Sequence, residues 1–235
     1  MKRFWQQAEI GWVESGYAVL LDGKPIHLPG GAVLTVRSEA LARAIAAEWQ
    51  AAGGRRGGEM SFADTPLTRF AGTAQERIKP NPWPTVDALA RYAETDLLCY
   101  RADKPAALVH RQAQEWQPWL DWAARTYDAP LRTGVGIVHI KQEPRAVAAL
   151  RGAVASLDVP ALAALTLAVP SLGSLVLGLA LAARRLDAAT AHRLASLDEL
   201  FQAEVWGEDL MAVRRRRLIA DDLSHAARFM ELAQL

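Results

Sequence analysis

Ser196–Arg217, SLDELFQAEVWGEDLMAVRRRR, is the stretch around which the rest of the chain is read. Its pattern predicts one continuous helix. Asp198 and Glu199 stand near its start and Arg214–Arg217 near its end, the polarity that suits a helix dipole. At about 100° per residue, Leu197, Leu200, Phe201, Met211 and Ala212 share an apolar arc, with Glu204 and Glu208 in its middle, one turn apart. Two carboxylates on a face expected to be core need partners, because an unpaired buried charge is strongly disfavoured. Trp206 falls on the far side, where a lone helix would present a polar residue to water. Such a helix has something to meet on more than one side.

Upstream of this stretch the pattern stays helical back to about residue 85. Pro105–Tyr127 carries Trp116, Trp119 and Trp122 as an aromatic stripe, read as packing on neighbouring helices rather than as a ligand platform. Pro144–Leu157 is a further helix. Ala161–Ala183 has no charged residue, which raises a membrane span. Pro170 and Ser171 interrupt it, many of its residues are alanines, and Thr166, Ser171 and Ser174 add polar groups. Two short buried helices, about 160–169 and 171–185, fit better than a span. Asp187–Ala195 begins another helix, and Asp221–Leu235 is expected to close the chain as a separate one.

Residues 4–36 have a different texture. Val13, Tyr17, Val19 and Leu21 partly alternate with small or polar residues, and Asp22-Gly23 is a hairpin signal. Ser38 is a good N-cap for a helix over Glu39–Ala52. A second helix opens at Thr65-Pro66, and prolines 80, 82 and 84 then stiffen the chain. The expected architecture is α+β: a small, β-rich N-terminal α+β domain over residues 1–75 and a larger all-α domain over 76–235.

The totals exclude several classes of function. In 235 residues, 27 basic side chains balance 26 acidic ones, so no overall field recruits nucleic acid or anionic membrane. A basic stripe with interleaved aromatics is missing as well. Cys99 is the single cysteine, which rules out an internal disulfide and suits a reducing compartment. The sequence has no HExxH, GxSxG or CxxC, and its five histidines are scattered. The Gly53–Gly58 loop lacks a phosphate-binding pattern. Glu204 and Glu208 could serve as an acid–base pair or as metal ligands, but a di-iron bundle also needs Glu-x-x-His, which is absent. No cofactor is expected. The N-terminus, MKRFWQQAEIGW, has no apolar secretory segment, so the bacterial cytoplasm is the expected compartment, with the mitochondrial matrix after presequence removal as the alternative.

Several segments taken together resemble the ATP12 family of F1-ATPase assembly chaperones. They are Lys2-Arg3-Phe4-Trp5, Val19–Ile26, Ala47-Glu48-Trp49 and Pro66-Leu67-Thr68-Arg69 in the N-terminal part. Tyr92, Glu94–Ala102 and Trp116-x-Pro118-x-x-Asp121-Trp122 follow in the middle. Gly173–Leu177 and Asp198-Glu199-x-x-Gln202-x-Glu204-x-Trp206-Gly207-Glu208-Asp209 complete the set. The resemblance implies a binding protein rather than an enzyme, one that holds the free α subunit of F1 until a β subunit replaces it. It also places an important acidic residue in Gln202–Asp209, with Glu204 the best match. Glu204, Trp206, Glu208 and Asp209 are therefore the candidate partner-binding residues. The competing structural expectation pairs Glu204 and Glu208 internally, with Arg69 or Arg101, and puts Trp206 in the core. Asp96 and Arg101 are expected to form a structural pair. The protein is expected to be a monomer, because self-association would compete with a client surface.

Overall fold

The computed structural model describes residues 1–235 and has an α+β fold in which a small N-terminal strand region precedes a larger helical part. The chain forms two compact units. One comprises Met1–Pro82 with Val159–Ala164 and Arg228–Leu235, and the other comprises Trp83–Asp158 and Leu165–Ala227.

In the first unit, β1 (Ala8–Val13) and β2 (Gly16–Leu21) pair antiparallel in a register running from Ala8 opposite Leu21 to Val13 opposite Gly16. The short strands β3 (Lys24–Pro25) and β4 (Thr35–Val36) both pair with β2. Asp22 and Gly23 take φ of 48° and 77°, the left-handed pair that a tight hairpin turn requires. The helix α1 (Glu39–Ala51) packs on β1 and β2, and Ser38 caps it by accepting the Leu41 N–H at 3.1 Å.

Three of the segments quoted above meet around α1. Trp5 Nε1–H donates to the Trp49 carbonyl at 3.1 Å, and Trp49 Nε1–H donates to Thr68 Oγ1 at 2.9 Å. Glu48 accepts the Leu67 and Thr68 N–H groups, so its carboxylate serves the open N-terminus of α2 (Pro66–Gly72). Burial raises the Glu48 pKa against those hydrogen bonds. Arg3 is buried and donates to carbonyls that include Gln50 and Ala52, where the orphan acceptors at the end of α1 satisfy its charge. After α2 the helix continues as a π turn over Thr73–Ile78.

The second unit is helical. It contains α3 (Trp83–Ala90), α4 (Ala106–Tyr127), α5 (Pro144–Ala155), the later part of α6 (Val159–Leu172), α7 (Leu175–Ala182), α8 (Ala188–Ala195) and α9 (Leu197–Trp206). The last helix, α10, runs over Leu210–Ala233 and absorbs the separate closing helix expected at Asp221–Leu235. A two-residue parallel ladder joins β5 (Tyr100–Arg101) to β6 (Gly134–Val135). The helix α7 is its central rod, with every side chain from Leu175 to Leu181 buried. Gly178 is required there, since a Cβ would come within 2.5 Å of Val169 Cγ2.

The uncharged stretch is divided at Gly173-Ser174 and not at Pro170, which lies inside α6. Gly173 takes φ of 62°, and Ser174 caps α7 by accepting the Leu177 N–H at 3.1 Å. Capping chemistry sets this break, and a proline near a helix end does not force one. No helix is long and apolar enough to cross a membrane.

Candidate partner-binding surface

The single helix expected over Ser196–Arg217 is two helices. The first, α9, stops at Trp206, and Gly207 takes φ of 92° and ψ of 165°, a conformation essentially reserved for glycine. Asp209 starts α10, its Oδ1 accepting the Met211 N–H at 3.1 Å. A Gly past one helix end and an Asp before the next is a stop-and-start signal, and it overrides the continuous apolar period.

The break places Glu204 and Glu208 in different surroundings. Neither lies in a core. Glu204 accepts a bidentate pair from Arg111 on α4, at 2.8 and 2.9 Å, and the Arg111 guanidinium lies over the Phe201 ring at 5.3 Å. The Arg111 hydrogen bonds hold the Glu204 carboxyl below its usual range. Glu208 accepts from Arg216 at 3.1 Å. Arg216 is nearly buried and also approaches Glu199 of α9 at 3.7 Å, while Arg215 bonds the other Glu199 oxygen. Burial and the nearby Arg216 charge keep the His192 pKa low. Two more bonds fasten this region to α4: Gln112 Nε2 donates to Asp198 Oδ1 at 2.7 Å, and the buried Trp116 donates Nε1–H to the Leu194 carbonyl at 2.9 Å.

The internal partners of the two glutamates are thus Arg111 and Arg216, not Arg69 or Arg101. Arg69 stands exposed on α2. Asp96 and Arg101 do not pair with each other either. Asp96 is fully buried and accepts the Leu98 and Val176 N–H groups at 3.1 and 3.0 Å, which closes the N-terminus of α7. Burial pushes its pKa up to about 6. Arg101 donates to the Leu98 and Gln112 carbonyls, both at 2.8 Å. Backbone dipoles satisfy both charges, so neither needs the other.

Trp206 is not in the core. It is 78% exposed, and beside it at the Gly207 corner Val205, Leu210 and Met211 are 58%, 83% and 70% exposed. Leu218 continues this apolar surface along α10. The continuous-helix reading put Met211 on a core arc and passed over Val205 and Leu210. The Gly207–Asp209 signal would have recovered them.

An acid–base pair would need Glu204 and Glu208 turned to one substrate, and each is instead held in its own ion pair. Nowhere do three His, Cys, Asp or Glu side chains converge as a metal site would require. Cys99 is buried, and its thiol is pushed up to about 12 by burial and by Asp96.

A family model described as ATP12 chaperone protein matches residues 2–124. The fold is similar to the crystal structure of Atp12 from Paracoccus denitrificans, with a TM-score of 0.91 and 44% identity over 99% of this chain and 98% of that one. It is equally similar to an aspartate-to-lysine mutant of the P. denitrificans protein, at TM-score 0.91 and 43% identity over 99% and 97% of the two chains. A candidate chaperone from Agrobacterium tumefaciens has a TM-score of 0.90 and 36% identity over 98% of this chain and 85% of that one.

Proposed function

This chain belongs to the ATP12 chaperone family, and from that premise we propose that it is an ATP synthase assembly chaperone holding the free F1 α subunit until a β subunit displaces it. It acts by binding and needs no catalysis. An α subunit waiting for its partner exposes the apolar surface that will meet β, and such surface aggregates. A chaperone for it must offer apolar surface of its own, over an area small enough to release.

The observation that carries this reading is the exposed corner of Val205, Trp206, Leu210 and Met211. A large aromatic left open beside three aliphatic side chains is the composition of an interface centre. Glu204, Glu208 and Asp209 border the corner and hold its shape through Arg111, Arg216 and the first turn of α10. Together with Trp206 they form the proposed partner-binding set.

The test is capture of purified α subunit by the full chain, by Trp206→Ala and by Glu204→Lys, with circular dichroism to verify folding. Wild type captures α. Trp206→Ala weakens capture about tenfold or more. Glu204→Lys sets a second cation against Arg111 and weakens it too. Absence of capture by wild type overturns the α-subunit assignment, and undiminished capture by both folded variants moves the site elsewhere.

A further inference from the structure

The charges left free at the Gly207 corner are cationic. Its acids are all engaged: Glu204 by Arg111, Glu208 by Arg216, and Asp209 by the α10 backbone. Arg215 and Arg216 are taken up by Glu199 and Glu208. Arg214 and Arg217 stand exposed with no acidic partner. Arg214 also occupies a particular place. Leu210, Arg214 and Leu218 follow one another at four-residue spacing, so they form a single row along α10. Both leucines are exposed, and Met211 stands beside them. The row is thus apolar, cationic, apolar, with Asp221 of the same helix one turn beyond Arg217.

We propose that this row recognises a segment of the client protein that carries an Asp or Glu between apolar side chains, with the carboxylate seated on Arg214 and the apolar neighbours on Leu210 and Leu218. The proposal rests on the reading of the corner as a client surface and names the chemistry of what docks there. A cation in the middle of an apolar row decides between a protein and a lipid surface. A helix lying in a bilayer interface keeps its cations at the rim and its buried row apolar, whereas here docking on lipid would press Arg214 into the hydrocarbon. A protein partner can bring a carboxylate to that spot, and a guanidinium framed by apolar contacts is a recurring interface anchor.

The probes are a labelled helical peptide of Leu and Glu, its twin with Lys in place of Glu, and vesicles of zwitterionic lipid with and without an anionic lipid. They are presented to the full chain, to Arg214→Glu, to Arg214→Lys and to Lys141→Glu as a distant control. Wild type and the control prefer the Glu peptide about tenfold or more over the Lys peptide. Arg214→Glu abolishes or inverts the preference, and Arg214→Lys keeps its sign at reduced size. Equal affinity for both peptides overturns the proposal, as does a preference that survives Arg214→Glu. So does binding to anionic vesicles that depends on Arg214 while peptide binding does not. Peptides tiled from the F1 α subunit separate the two readings. If none is captured while the Arg214-dependent preference for the Glu peptide stands, the client assignment falls and the acid recognition holds. If α subunit is captured equally by wild type and Arg214→Glu, the client assignment holds and the acid recognition falls.

Discussion

Desolvation dominates at buried Asp96 and the Arg111 ion pair dominates at exposed Glu204, and pH separates the two. Burial raises the Asp96 pKa from 3.8 to about 6 in the folded protein, so the fold favours its protonated form more than the unfolded chain does. Its contribution to stability is fully present below pH 3.8 and is lost as pH rises to about 6. Asp96→Asn removes this dependence. It also sets an amide NH2 against one of the N–H groups the carboxylate now receives, at a cost of about 1–3 kcal/mol. In melting curves across this pH range, the advantage of wild type over Asp96→Asn should shrink as pH rises; a constant gap would refute the burial account. Glu204 shifts the opposite way, because the Arg111 hydrogen bonds favour its charged form. Little of this was legible in the chain. Arg111 lies 93 positions from Glu204, and no local spacing announces such a pair. The expected Asp96–Arg101 pair counted side-chain charges alone, whereas a helix N-terminus and the carbonyls of Leu98 and Gln112 are the real partners. The acidic segment itself was legible, and with it the location of the corner, although not its exposure.

Helix joints are where periodicity misleads. Amphipathic spacing placed α1, α4 and α5 within a residue or two, because one face of each is buried for its whole length. It ran through Gly207 because a glycine costs a helix only about 1 kcal/mol against alanine, too little to declare a break. The caps decide the matter, as they do at Gly173-Ser174. Gly207 offers a clean test of that joint. A Cβ there meets nothing within 4 Å, so Gly207→Ala loses only backbone freedom. Holding alanine at φ of 92° costs about 1–3 kcal/mol. We expect a lower melting temperature, more helix by circular dichroism if the joint straightens, and weaker capture of α subunit, since a straightened joint re-aims α10, with Leu210, Met211 and the Glu208–Arg216 pair, relative to α9. Unchanged stability and capture would mean that the joint tolerates either geometry.

The whole chain passes between its two units four times, after Pro82, Asp158, Ala164 and Ala227. The texture change from alternating to helical spacing was visible in sequence, but the return of the chain was not, because it depends on contacts between segments far apart. The final segment brings Phe229 into the first unit, its ring 5.3 Å from that of Phe70, and the Leu232 carbonyl accepts Ser38 Oγ–H at 2.6 Å. Phe229 and Met230 are buried. Deleting Arg228–Leu235 therefore opens the core of the N-terminal unit. Loss of the Phe229 side chain alone costs about 3–5 kcal/mol. Tryptophan fluorescence of the truncated chain should melt well below wild type, and an unchanged transition would show the segment to be dispensable. The same threading sets an order of events during synthesis. Strands, α1 and α2 leave the ribosome well before the helices that follow, yet their core lacks Phe229 and Met230 until those residues emerge in turn. The first unit is begun with residues 1–82 and cannot be finished until residues 228–235 have been made, so the nascent chain exposes an incomplete apolar face of its own while the segments between are synthesised.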